Sequence, residues 1–230
     1  SVGATGNILM AAVKADGVTN IFNASKEPEI VSLGDFLNKM GARIEGLGTD
    51  NLVVHPIETE NNDIEFDIIP DRIEAGTFMI AVACVGGNVN IKNLESAHLG
   101  SLIDLFNKID IDMKVYANEI TIDSNGIFES FDIETLEYPG FPTDLQAQLM
   151  SMMVKAKGKS SIKENIYHDR FTHIPELVRL GANVTLENET AHIQGVEHTF
   201  SAPVMCTDIR ASAALVISAL YSIGKTEISR

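Results

Sequence analysis

The sequence predicts an α/β fold built from a repeated unit of about 70 residues, and three observations predict it. Four segments read apolar run, glycine, short strand: "VKADGVTNI", "ACVGGNVNI", "VKAKGKSSI" and "YSIGKTEI". Their landmark glycines, Gly17, Gly87, Gly158 and Gly224, recur at a spacing of roughly 70 residues. A second landmark, "LNKMGARI", "FNKIDIDM" and "LVRLGANV", recurs in step with the first. Each of these closes an amphipathic helix and is followed by two short alternating runs joined by a polar turn.

Taken in order, the chain opens on a helix start at "SVGATGNILMAA". Gly17 then reads as a C′ residue, where positive φ is cheap for glycine, as do its three counterparts. Leu33, Phe36, Leu37 and Met40 fall at i, i+3, i+4 and i+7 and predict the next helix. "ARIEGLGTDNLVVHPI" follows as two strands about a "GTDN" turn, and the acidic run "ETENNDIEFD" reads as a solvated hairpin approaching a linker. The second unit starts at "PDRIEAGTFM" and repeats the pattern with Leu102, Leu105, Phe106 and Ile109. The third starts at "PTDLQAQLM". The fourth starts at "CTDIRASAAL" and stops after one strand at "KTEISR". Such a unit needs neighbours to cover its apolar face, so the chain reads as a piece of a longer repeating protein.

Composition narrows the function classes. With 230 residues and 45% hydrophobic content the chain can bury a sizeable core in one or two domains. The formal charge of -15, from 17 basic and 32 acidic residues, argues against nucleic acid or an anionic membrane as partner. It leaves room for a local phosphate pocket. No signal peptide and no apolar run long enough to span a membrane is present, so a soluble, cytoplasmic protein is expected. Cys84 and Cys206 read as reduced thiols, one in a helical core and one at a strand end. No metal site is expected: the six histidines form no H-E-x-x-H, and His168 and His173 are poorly spaced for zinc. "SIGKT" resembles the tail of a P-loop, but Ala219 stands where the first glycine belongs.

Charge gathers at helix starts. Asp71, Asp144 and Asp208 each open the first helix of a unit. Thr143 is a plausible N-cap there, with Gln146 completing a capping box. Asp71 is followed by Arg72 and Asp208 by Arg210, while Arg170 sits in "YHDRFTHIPEL". Charged groups at equivalent helix starts can face one cleft, where helix N–H groups bind anions. Ser1, Val2 and Gly3 form a further candidate, because small residues let a phosphate approach the backbone.

Six strings in order, "SVGAT", "EPEIV", "PDRIEAGTF", "FPTDLQAQ", "DRFTHIPEL" and "TDIRASAALV", resemble the UDP-N-acetylglucosamine enolpyruvyl transferases (UDP-N-acetylglucosamine 1-carboxyvinyltransferases) over essentially the whole chain. The resemblance implies an inside-out α/β barrel of βαβαββ units. Residues 1–68 would be the last unit of one domain, and residues 69–230 most of a second, ending early in its last unit. It also implies transfer of enolpyruvyl from phosphoenolpyruvate to the 3-hydroxyl of UDP-N-acetylglucosamine, towards bacterial peptidoglycan, without metal or organic cofactor.

Residue by residue, Asp144 matches the proposed base for that hydroxyl. Arg170, Asp208 and Arg210 match charged groups of the closed site, and Ser1, Val2, Gly3 and Ile166 match nucleotide-sugar contacts. The family's Lys-Asn pair, its fosfomycin-reactive loop cysteine and its final arginine segment have no match in this sequence. Neither Cys84 nor Cys206 takes the loop cysteine's role. The alternative expectation is therefore a truncated, non-catalytic fragment or paralogue that binds nucleotide sugar.

Overall fold

The helix–strand–helix–strand–strand unit is present from the first residues of the computed structural model, which describes residues 1–59, 61, 63–206 and 208–229. The chain divides into two units, Ser1–Pro70 with Glu137–Pro139, and Asp71–Leu136 with Gly140–Arg230. In the first, α1 (Val2–Ala12), β1 (Thr19–Phe22), α2 (Pro28–Lys39), β2 (Arg43–Glu45) and β3 (Asn51–His55) follow in turn. The sheet has the antiparallel order β1-β3-β2. Pro28 opens α2, where a missing N–H costs nothing. Leu9, Ile21, Ile30, Leu37, Leu52 and Val54 share this unit's own core.

The second unit begins with the same pattern: α3 (Arg72–Val85), β4 (Gly87–Lys92), α4 (Gly100–Lys108), β5 (Asp112–Val115) and β6 (Glu119–Ser124). Next come β7 (Asp132–Glu134), α5 (Gln146–Met153), β8 (Lys159–Lys163), α6 (Ile174–Arg179), β9 (Asn183–Glu187) and β10 (Thr190–Gln194). Their order is β7-β8-β10-β9, with only β7 and β8 parallel, which is a complete βαβαββ unit. β11 (Pro203–Met205), α7 (Ile209–Tyr221) and β12 (Glu227–Ser229) repeat its opening, with β11 and β12 parallel.

The repeat is sharpest where α2, α4 and α6 end. Gly41, Asp110 and Gly181 all take positive φ, at 109°, 58° and 98°. The next N–H in each case reaches back to the last turn of the helix: Ala42 to Leu37 O, Ile111 to Phe106 O and Ala182 to Leu177 O, at 3.0, 2.9 and 3.1 Å. This is one Schellman ending used three times.

Two expectations change. Of the landmark glycines only Gly87 is a C′ residue, directly after the α3 C-cap Gly86 and at φ 122°. Gly17 is not among the positive-φ glycines, Gly158 lies immediately ahead of β8, and Gly224 comes two residues after the α7 C-cap Ser222. At Gly158 and Gly224 the left-handed backbone coincides with a close approach: an added Cβ would meet Ser130 Oγ and Ser201 Oγ respectively. The acidic run at 58–67 forms no strand among the described residues, Glu60 and Asn62 lying outside them. Phe66 instead packs edge-on to Phe36 with ring centroids 5.4 Å apart, and Lys39 donates to Glu65 O at 3.0 Å.

Helices α3, α5 and α7 pack against one another. Every residue of α5 is buried, including Gln146, Gln148 and Ser151. Leu149, Met150, Met152 and Met153 are fully enclosed, each contributing roughly 1.5–3 kcal/mol. The strands keep exposed faces, so in this unit helices form the inside and sheets the outside. Among the described residues no helix is long and apolar enough to cross a membrane.

Candidate active site

Three helices start with an aspartate, but only two of those aspartates cap. Asp71 accepts from Ile73 N and Glu74 N, and Asp208 from Arg210 N and Ala211 N. Asp144 lies in a 3₁₀ turn, Thr143–Leu145, that runs into α5. The expected capping box does not form. The Thr143 hydroxyl donates to Glu164 Oε2 at 3.0 Å, and the buried Gln146 amide has no hydrogen-bond partner among the described residues. Gln148 holds the turn, its Nε2 donating to Asp144 O at 3.1 Å and to Thr77 Oγ1 at 3.0 Å. The Asp144 carboxylate is thus released from helix duty.

It meets two arginines. Arg170 Nη1 donates to Asp144 Oδ1 at 2.5 Å, and Arg210 Nε donates to the same oxygen at 3.2 Å. Among the described residues Oδ2 has no hydrogen-bond partner. The side chains of Asp144, Arg170 and Arg210 keep 37%, 21% and 28% of their exposure, so the cluster is lined by protein yet open to a ligand. Burial pushes the Asp144 carboxyl up. The hydrogen bond from Arg170 and the charges of Arg210 and Arg170 outweigh it and hold the group below the usual carboxylate range.

Local structure explains the convergence. Arg210 lies in the first turn of α7 and Arg170 in the turns between β8 and α6. Arg170 N donates to Tyr167 O at 3.0 Å, and its guanidinium lies 5.3 Å from the Tyr167 ring centre. All three charged groups therefore sit at the N-terminal side of helices, as their sequence positions suggest.

Asp208 is tied in more loosely. Its Oδ2 accepts from Thr172 Oγ1 at 3.0 Å while Oδ1 caps α7 beside Arg210. Burial raises its carboxyl, but bonds from Ala211 N, Thr172 and Arg210 N bring it below the usual range. His173 follows Thr172 and is buried. Burial pushes its imidazole down to about 4, against the Asp208 charge, which raises it, and with Arg170, which lowers it further. It is neutral at neutral pH, and its Nε2 has no hydrogen-bond partner among the described residues.

The expected site residues thus fall into groups. Asp144, Arg170 and Arg210 are bonded together, and Asp208 adjoins them through the backbone of Arg210. Ile166, 42% exposed, leads the segment that carries Arg170. Ser1, Val2 and Gly3 belong to the other unit, at the exposed N-terminus of α1, where the Ser1 hydroxyl accepts from Ala4 N at 3.2 Å. The sequence reading missed Glu164 and Thr172, and weighed His173 only as a zinc ligand. The only signal for them was proximity to Arg170. Among the described residues no group of three or more His, Cys, Asp or Glu side chains is placed to hold a metal.

Chemically, a carboxylate with one unpartnered oxygen can accept a proton. Two guanidiniums beside it can take up carboxylate or phosphate oxygens through paired donors.

The sequence profile of the EPSP synthase (3-phosphoshikimate 1-carboxyvinyltransferase) family matches residues 1–230. Among curated proteins, a UDP-N-acetylglucosamine 1-carboxyvinyltransferase 1 from Caldanaerobacter subterraneus subsp. tengcongensis is 50% identical over 229 residues. The UDP-N-acetylglucosamine 1-carboxyvinyltransferase of Desulfatibacillum aliphaticivorans is 47% identical over 230 residues. Each alignment covers 100% of this chain and 55% of the relative, so the chain spans about half the length of the curated relatives it matches. Among solved structures, the enolpyruvyl transferase NikO from Streptomyces tendae superposes with a TM-score of 0.91 at 24% identity, covering 100% of this chain and 55% of that one. The EPSP synthase from Acinetobacter baumannii gives 0.70 at 15% identity, covering 99% and 56%. These likenesses bear out the inside-out α/β barrel.

Proposed function

The chain belongs to the EPSP synthase (3-phosphoshikimate 1-carboxyvinyltransferase) family, and on that premise we propose that the protein containing it transfers enolpyruvyl from phosphoenolpyruvate to the 3-hydroxyl of UDP-N-acetylglucosamine. The observation that carries the reading is the Asp144–Arg170–Arg210 cluster, in which one carboxylate oxygen faces no protein donor among the described residues. The choice of acceptor sugar rests on the names of the relatives at 50% and 47% identity. In the proposed reaction Asp144 takes the hydroxyl proton as the sugar oxygen bonds to C2 of phosphoenolpyruvate and a separate general acid delivers a proton to C3, to be recovered by its conjugate base in the next step. Phosphate then leaves C2 as C3 returns a proton, restoring the double bond. Arg170 and Arg210 hold the carboxylate and phosphate oxygens through this change. Asp208 holds the first turn of α7, and so the backbone of Arg210, in place. Ile166 and the Ser1–Val2–Gly3 segment serve the nucleotide sugar.

We further propose that residues 1–68 form the last unit of one domain and residues 69–230 most of a second, ending early in its last unit. The test is phosphate release from phosphoenolpyruvate by the complete protein, with either UDP-N-acetylglucosamine or 3-phosphoshikimate as acceptor. Release with the nucleotide sugar alone is expected; release only with 3-phosphoshikimate, or with neither, contradicts the proposal.

A second reading concerns the 230 residues by themselves. Spanning 55% of the relatives, they are proposed to bind nucleotide sugar without turnover. Tight phosphoenolpyruvate binding by this chain in titration calorimetry would count against that reading.

A further inference from the structure

We infer that Glu164 is the positioning residue that sets Asp144 and Arg170 in register. Its side chain is fully buried, and among the described residues no cation pairs with it. Four donors surround it instead. Oε1 accepts from Thr135 Oγ1 at 2.7 Å, Ile166 N at 2.9 Å and Tyr167 N at 2.9 Å, and Oε2 from Thr143 Oγ1 at 3.0 Å. A carboxylate without a counter-cation is a costly thing to bury, and packing alone favours an apolar residue there. What the carboxylate adds is a connection between two segments distant in sequence.

One segment is the turn bearing Asp144, gripped through its neighbour Thr143. The other leads to Arg170, gripped at Ile166 and Tyr167; Tyr167 in turn accepts from Arg170 N and lies under its guanidinium. Thr135 completes the clamp, its hydroxyl also accepting from Asn165 N at 2.9 Å.

The repeat supplies independent support. Directly after β1 and β4 stand Asn23 and Asn93, both at positive φ, 55° and 58°. The following N–H bonds back across the sheet, Ala24 to Asp50 O and Leu94 to Asn118 O. Directly after β8 stands Glu164, outside the positive-φ set, and its own N–H makes the bond back, to Glu189 O at 2.8 Å. The turn rule is broken in the unit that carries Asp144, and the residue that breaks it reaches the site.

The inference takes from the proposed function only that Asp144 is the working carboxylate. The test therefore reads the Asp144–Arg170 pairing in the 230-residue chain and not turnover. With ¹³C-carboxyl-labelled aspartate, the Asp144 titration midpoint reports its arginines; Arg170 and Arg210 act on it directly, while His173 interacts with Arg170 and Asp208 holds the backbone of Arg210. Glu164→Ala and Thr143→Val are expected to move that midpoint up towards an ordinary carboxyl. Glu164→Gln is expected to leave it in place, because the amide oxygen keeps the backbone donors and Nε2 can donate to the Thr143 hydroxyl. If Glu164→Ala does not fold, Thr143→Val decides alone. An unmoved midpoint in folded Thr143→Val, or a shift in Glu164→Gln as large as in Glu164→Ala, overturns the inference. Absence of transferase activity would leave each of these readings intact.

Discussion

Arg170 and Arg210 share a single oxygen of Asp144: both guanidiniums donate to Oδ1, from Nη1 and Nε, and come from segments well separated in the chain. Loss of Asp144 therefore leaves two cations facing each other. A double-mutant cycle between Asp144→Ala and Arg210→Ala, followed by urea unfolding of the chain, should show favourable coupling of about 1 kcal/mol. The value is kept low because the Asp144 side chain is 37% exposed and water screens it. Strict additivity would mean that the contact carries no stability.

Acid sensitivity should trace to His173. Its folded pKa is depressed from 6.5 to about 4, so unfolding takes up a proton in that interval. The stability it contributes is complete above pH 6.5, falls as pH drops, and is gone near pH 4, a loss on the order of 3 kcal/mol. His173→Gln should flatten the profile of unfolding free energy across that window. An unchanged slope would contradict the assignment of a buried neutral imidazole.

The three Schellman endings should differ in what they tolerate. Asp110 already places a side chain at positive φ. At Gly181 an added Cβ has Phe200 no closer than 3.7 Å, so Gly181→Asn should cost only about 1 kcal/mol in thermal or urea unfolding. At Gly41 the added Cβ runs into the Thr59 carbonyl oxygen, so Gly41→Asn should cost clearly more. Equal costs would show that the backbone around Thr59 yields freely.

The thiols should separate by reactivity. Burial, opposed by the Lys155 charge, pushes Cys84 up to about 12, whereas Cys206 is half-buried just past β11. Iodoacetamide under mildly alkaline conditions should label Cys206 in the folded chain and Cys84 only after unfolding. Mass spectrometry of the labelled peptides reads the outcome, and early labelling of Cys84 would contradict its burial.

Much of this was legible in the sequence because it is periodic. The apolar faces of α2 and α4 and the "GTDN" turn each obey a local rule. Helix α5 hid its environment, since it is buried on all sides and so has no polar face to mark its orientation. Strands β7 and β11, three residues each, are too short to show alternation. The aspartates were visible at helix starts, but which of them caps and which binds arginine depends on Thr143 turning to the distant Glu164. Glu164 itself looked like one more acidic residue in an acidic chain, because burial against four donors leaves no mark in local sequence.

The most direct test of the account is the turnover of Asp144→Ala in the complete protein, measured as phosphate release from phosphoenolpyruvate with UDP-N-acetylglucosamine present. Turnover is predicted to vanish while the thermal midpoint shifts by only a few degrees, as suits the loss of about 1 kcal/mol. Normal turnover in a folded Asp144→Ala protein would contradict the role given to this carboxylate.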